Sequence, residues 1–226
     1  MNRAIPVLAV IAGLLAATTF YMAISYADFD AKLYFSQKIF FWHVPHAFML
    51  FIATGMCGIC SLIFLKTRAQ KWDDRALAAA EVAVYFGAAV LATGMIWAKA
   101  AWDHWWVWEN RLTMSLILWL VLVGYVIVRR YAGASGAQLA AGLSVFGTLG
   151  IPFVYFMVQK GDNHPQAGAK GNVLTLNGSM RITFWLAVLA FLMWFLTFVT
   201  MRIQSVRLAR EVRELREKGL DAGILT

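Results

Sequence analysis

Six apolar runs set the pattern of the chain, at residues 4–27, about 40–65, 76–98, 112–128, 138–158 and 182–201. Each is close to the roughly 20 residues a helix needs to cross the ~30 Å hydrocarbon core of a bilayer. In hydrocarbon a single segment satisfies its own N–H and C=O groups only as a helix, so the pattern predicts an all-α, polytopic protein with six transmembrane helices. Polar stretches separate the runs: DFDAKLYFSQK at 28–38, KTRAQKWDDR at 66–75, the short turn YAGASGAQ, and a Gly- and Asn-rich loop at 159–179. Pro45 is placed in the first turn of the second run, where a missing N–H costs little, and Pro152 predicts a kink in the fifth. Ser25-Tyr26-Ala27 resembles a signal-peptide cleavage site. The first run is long for a signal h-region, so a retained helix is expected.

Composition agrees with this class. The 226 residues are 61% hydrophobic and 14% charged, against about 25% charged in a soluble domain. The prediction is a single membrane domain over 1–226. The net charge of +8 does not point to nucleic acid, because the basic residues sit in short loops beside apolar spans. Their distribution orients the chain instead. One side carries thirteen (Arg3, Lys66, Arg68, Lys71, Arg75, Arg129, Arg130, Arg202, Arg207, Arg210, Arg213, Arg216, Lys218) and the other seven (Lys32, Lys38, Lys99, Arg111, Lys160, Lys170, Arg181). The positive-inside rule then puts both termini in the cytoplasm. The loops at about 97–113 and 159–181 fall outside. In the basic tail, Leu208, Val212 and Leu215 recur at helical spacing. Two readings stand: an amphipathic helix on anionic lipid, or a solvated charged helix end.

Three features carry candidate chemistry. Cys57 and Cys60 form a CxxC inside an apolar run, without the following His of a covalent haem-attachment site. They are expected to be small packing residues. Residues 97–113, WAKAAWDHWWVWENRLT, hold five of the ten tryptophans. Large flat apolar faces mixed with Asp103, His104, Glu109 and Arg111 suit a planar, amphipathic ligand at the membrane surface. The four histidines, His43, His46, His104 and His164, come from three segments, and the expected topology puts all of them at or beyond the outer boundary. Imidazoles ligate haem iron, zinc and copper. Zinc or copper explains the histidines and leaves the tryptophans unexplained. Haem explains both, with two imidazoles for iron, indole faces for the porphyrin and Arg111 for a propionate.

WDHWWVWENRLT resembles the tryptophan-rich signature of the cytochrome c assembly (WWD) family, WGxWWVWDxRLT. FFWHVPHAF resembles that family's HVP histidine segment, and DNHPQ its second outer histidine segment. The resemblance covers the whole chain. It implies His43 and His164 as the axial metal ligands of haem b, on a binding surface made by Trp102, Trp105, Trp106, Trp108, Glu109 and Arg111. It further implies a haem-handling protein of the bacterial inner membrane, not an enzyme, that takes haem at the periplasmic face. Delivery would be to a membrane-anchored periplasmic haem chaperone for cytochrome c maturation. The implied partners are ABC-type transporter subunits, a small single-span accessory subunit and membrane lipid. No GxxxxGK[ST] occurs, so ATP work would fall to a partner. Asp103 stands where the family has Gly, Glu109 where it has Asp, and Asn110, His46 and His104 where small residues are usual. His46 and His104 are therefore alternative ligands.

Two other classes compete. An electron-transferring cytochrome b subunit places histidine pairs at two depths of facing spans, yet spans three to six contain none. A small-solute or metal transporter places charged groups at mid-membrane, and these spans have few, Glu81 among them.

Overall fold

The computed structural model describes residues 4–30, 33–160, 176 and 178–223. Six helices account for most of them: α1 (Ala4–Ser25), α2 (Phe40–Thr67), α3 (Gln70–Trp102), α4 (Asn110–Tyr131), α5 (Gly136–Lys160) and α6 (Gly178–Asp221). All six are long and apolar enough to cross a membrane. Among the described residues there is no strand, and short 3-10 turns lie at Phe35–Ile39 and Gly133–Ser135.

The bundle has a centre and a rim. Half of the most apolar window of α2 and of α3 is buried, against 17% in α1 and α4. The α2–α3 hairpin packs most extensively and meets α4, α5 and α6, while α1 lies on α6. The central core is built from Met49, Leu50 and Ala53 of α2, Val82, Phe86 and Val90 of α3, Leu122 of α4, and Phe191, Phe195 and Val199 of α6. Toward the tryptophan stretch a second cluster joins Phe40, Phe41, Val44, Trp97, Leu176 and Phe184. Toward the opposite end Cys57 and Cys60 pack with Ala76, Ala79, Ala80, Tyr125 and Ala140. Both thiols are buried and unbridged, as expected of packing residues. Next to them Gly58 lets α5 approach, since a Cβ there would stand 2.0 Å from Thr148 Oγ1.

The helices run further into the polar stretches than the hydropathy pattern predicts. Only Arg68 and Ala69 separate α2 from α3, so most of KTRAQKWDDR is helix. Arg68 reverses the chain in the left-handed region (φ 57) and donates its N–H to Phe64 O at 2.8 Å. The charged first turns of α3 remain helical because their carboxylates are neutralised across the bundle. Asp73 accepts from Arg129 Nη2 at 2.7 Å and from Gln70 Nε2 at 2.8 Å. Asp74 accepts from Arg210 Nη2 at 3.0 Å. Glu81, further along α3, pairs with Arg202. The basic tail is likewise an uninterrupted extension of α6, whose 44 residues span about 66 Å at 1.5 Å per residue. Leu208, Val212 and Leu215 are exposed along it. Pro45 falls in the second turn of α2 rather than the first, because the helix starts at Phe40.

Candidate functional site

His43 sits in the first turn of α2, where that helix faces the last turns of α3. Its Nδ1 lies 2.9 Å from Thr93 Oγ1. Its ring stands edge-on to Trp97, with centroids 5.6 Å apart and planes at 66°. Trp97 is buried and packs in turn against Phe40, 6.3 Å away. Between Thr93 and Trp97 is Gly94, where an added Cβ would meet His43 Cε1 at 3.1 Å. Residues 93, 94 and 97 share one face of α3 through its helical period, and that face carries the imidazole.

His46, three residues on, also faces α3, but a turn deeper. Its ring lies 4.4 Å from Phe191 and 5.7 Å from Phe86, and its Nδ1–H donates to Trp42 O at 2.7 Å. Phe86 is near the middle of α3, so His46, half-buried, packs against the bundle's central core and not at its outer end. His104 goes the other way. It is exposed in the non-helical segment 103–109, with Nδ1–H donating to Trp102 O at 2.6 Å. The three described histidines thus occupy three environments. His164 lies outside the described residues. Among the described residues no group of three or more His, Cys, Asp or Glu side chains could hold a metal ion.

The tryptophan stretch divides in two. Its first part, through Trp102, continues α3, and Lys99 pairs with Asp103 one turn on. Asp103 ends the helix in the left-handed region (φ 64), with its N–H on Lys99 O at 3.0 Å. Asp, unlike most residues, tolerates that conformation. The second part, residues 103–109, is non-helical, and Glu109 caps α4 in extended conformation (φ −105, ψ 160). Trp102, Trp105 and Trp108 are 38%, 59% and 76% exposed. Trp106 is half-buried and meets Trp108 edge to face, at 5.6 Å and 77°. Its indole Nε1 is buried and has no hydrogen-bond partner. The side chain of Arg111 lies outside the described residues.

A collar before α2 pins this end of the bundle. Lys38 is buried and reaches back to Ala27 O and, at 3.3 Å, to Asp28 O, with Nζ 4.4 Å from the Phe29 ring centroid. Asp28 and Ser179 bond reciprocally: Asp28 N–H donates to Ser179 Oγ at 3.1 Å, and Ser179 Oγ–H donates to the Asp28 carboxylate at 2.6 Å. Gln37 is fully buried, and neither its amide nitrogen nor its oxygen has a hydrogen-bond partner. Thr93, Gly94 and Gln37 are the site residues that motif reading passes over, while Trp97 opens the tryptophan stretch already singled out. The one available signal was the four-residue spacing of Thr93 and Trp97 on a helix opposite a histidine.

These features define a multi-pass membrane protein, a six-helix bundle with exposed indoles and the buried, unpartnered Gln37 amide at the end where α3 leads into α4. The chain belongs to the family described as Heme exporter protein C, whose match covers residues 1–218. It is 33% identical over 158 residues to Heme exporter protein C of Bradyrhizobium diazoefficiens, covering 69% of this chain and 60% of that protein. To Heme exporter protein C of Escherichia coli strain K12 it is 28% identical over 162 residues, covering 69% and 64%. To that of Paracoccus denitrificans it is 40% identical over 97 residues, covering 43% and 40%. The chain thus spans less than two thirds of the length of each of these relatives.

Proposed function

We propose that this protein binds haem b as cargo at the periplasmic face of the bacterial inner membrane and passes it to a membrane-anchored haem chaperone for cytochrome c maturation. It does so as one six-helix domain with both termini cytoplasmic and without chemistry of its own. ABC-type transporter subunits and a small single-span subunit are its partners. In this reading His43 and His164 are the axial ligands. Trp102, Trp105, Trp106 and Trp108 offer indole faces to the porphyrin, and Glu109 and Arg111 lie at its polar edge.

The observation that carries the reading is the placement of His43: at the end of the α2–α3 hairpin that leads into the tryptophan stretch, backed by Trp97 and held through Nδ1. Two unpartnered buried groups at the same end suit an incoming molecule with acceptor oxygens, namely Trp106 Nε1–H and the Gln37 amide. Family membership supports the cargo, and the thirteen-to-seven distribution of Lys and Arg supports the orientation. An electron-transfer subunit is disfavoured: within the helices of the described residues, histidines occur only on α2, as His43 and His46.

The test is a visible absorption spectrum of the purified protein. His43→Gly or His164→Gly should lose haem or turn it from six-coordinate low-spin to high-spin, and added imidazole should restore the low-spin form by filling the vacancy. His46→Gly and His104→Gly should leave the spectrum unchanged. Replacing Trp105, Trp106 and Trp108 together with Ala should release the haem, whereas any one of them replaced with Phe should retain it. A high-spin, imidazole-rescued spectrum from His104→Gly and not from His164→Gly would move the second ligand into the tryptophan stretch.

A further inference from the structure

We propose that Thr93 is a positioning residue that fixes the tautomer of His43, holding the ring proton on Nδ1 and the lone pair on Nε2, with Gly94 providing the space the ring needs to reach it. The inference rests on the reading of His43 as a haem ligand for its purpose, but not for its chemistry.

One hydroxyl proton decides the tautomer. Thr93 Oγ1 has a single hydrogen to give and two lone pairs to receive. It lies 2.7 Å from Ala89 O and 3.3 Å from Val90 O, the carbonyls one turn back on its own helix. It also lies 2.9 Å from His43 Nδ1. Carbonyl oxygens only accept, so the hydroxyl proton goes to Ala89 O, and what Thr93 presents to His43 is a lone pair. Nδ1 must then be the donor. The opposite arrangement, with Thr93 donating to a bare Nδ1, forfeits the bond to Ala89 O and leaves one hydrogen bond where there were two. A single hydrogen bond is worth about fivefold in population. The neutral ring is therefore biased to carry its lone pair on Nε2, the nitrogen whose orientation as a metal ligand is commonly set by a hydrogen bond at Nδ1.

Two further features serve the same contact. The Cε1 edge of the ring rests where a side chain at position 94 would begin, since a Cβ there would come within 3.1 Å of Cε1 and 3.7 Å of Nδ1. Trp97 closes the next turn of α3 with its indole edge-on to the imidazole. Thr93 and Trp97 thus bracket the ring, and Gly94 lets it lie against the helix. Because the acceptor is a neutral hydroxyl and not a carboxylate, the arrangement orients the imidazole without giving it imidazolate character.

The experiment uses the full-length, haem-free protein in lipid nanodiscs with 15N-labelled histidine, at about pH 8, where an ordinary imidazole is neutral. The His43 signals are assigned by their loss in His43→Gly. Wild type should show a protonated Nδ1 and an unprotonated Nε2, with that tautomer favoured about fivefold or more. Thr93→Val keeps the shape and removes the acceptor, and should bring the ratio toward one. Thr93→Ser should restore it. Gly94→Ala should disturb it without touching any polar group. A melting curve for each variant identifies loss of fold. In haem-loaded protein the Thr93→Val change should also shift the reduction potential, and Thr93→Ser should not. Nε2–H in the wild type, an unchanged ratio in Thr93→Val, or a Thr93→Ser variant that behaves like Val would each overturn the proposal. None of these readings depends on haem, so they fail separately from the axial assignment, which fails if His43→Gly keeps the wild-type spectrum.

Discussion

The two ends of the bundle treat polar groups in opposite ways. At the end where α2 turns into α3, charge is abundant and answered from within the chain. Asp73 meets Arg129 and Gln70, Asp74 meets Arg210, and Arg210 also meets Glu214. What is left over there is small: Arg129 Nε and Ser61 Oγ are buried without hydrogen-bond partners. At the tryptophan end the remaining needs are larger. A whole amide at Gln37 and the Trp106 indole N–H are unsatisfied, and Trp105 and Trp108 have most of their surface exposed. Unsatisfied buried polar groups cost about 1–3 kcal/mol each. An end that closes its own bonds serves stability, and the buried polar groups left unpaired at the other are what the proposed cargo would meet.

Three measurements press on this contrast. The largest expected effect is all-or-none: a reporter active only in the periplasm, fused after Trp108, should give full signal, and after Arg130 none, as the distribution of basic residues requires. The reverse result would put the tryptophan end in the cytoplasm and remove the periplasmic site. Next is Asp73→Ala. It leaves the Arg129 guanidinium without its carboxylate, and losing one partner of a buried pair costs roughly 3–5 kcal/mol. The thermal midpoint in detergent should fall sharply, while haem bound per folded molecule stays the same. A melt indistinguishable from wild type would mean that the paired end does not hold the bundle together. The smallest effect concerns Gln37→Met, close in shape and without the amide. It should leave the haem-free protein as stable as before or about 1 kcal/mol more stable, and should weaken haem retention. A clear loss of stability without haem would show that the amide already has a partner.

Much of this architecture was legible in the residues, and the parts that were not share a cause. Apolar runs fix helix number because hydrocarbon admits so few backbone solutions, and all six helices fall on the runs. The exposed indoles of Trp105 and Trp108 were legible because tryptophans mixed with charge have few structural uses. What the pattern misplaced was polar residues whose partners are distant in sequence. KTRAQKWDDR reads as a loop until Arg129 and Arg210 arrive from other helices. Lys38 and Gln37 read as connector and are buried. His46 reads as a boundary residue and sits between Phe86 and Phe191. Thr93 was invisible for the opposite reason. A threonine in an apolar helix is ordinary, and only the approach of α2 gives its lone pair something to hold.

The length of α6 has a mechanical consequence. It runs unbroken from Gly178, beside the Asp28 clasp, to Asp221, so it is a lever as well as a wall. A rod of about 66 Å that pivots near its middle by about 5° carries each tip by about 3 Å in opposite directions. Such a swing of the exposed Leu208, Val212 and Leu215 face would carry Thr183 and Phe184 at the far tip, Phe184 belonging to the same cluster as Trp97. The Asp74–Arg210 and Glu81–Arg202 bridges tie the rod to α3 and would resist such a swing.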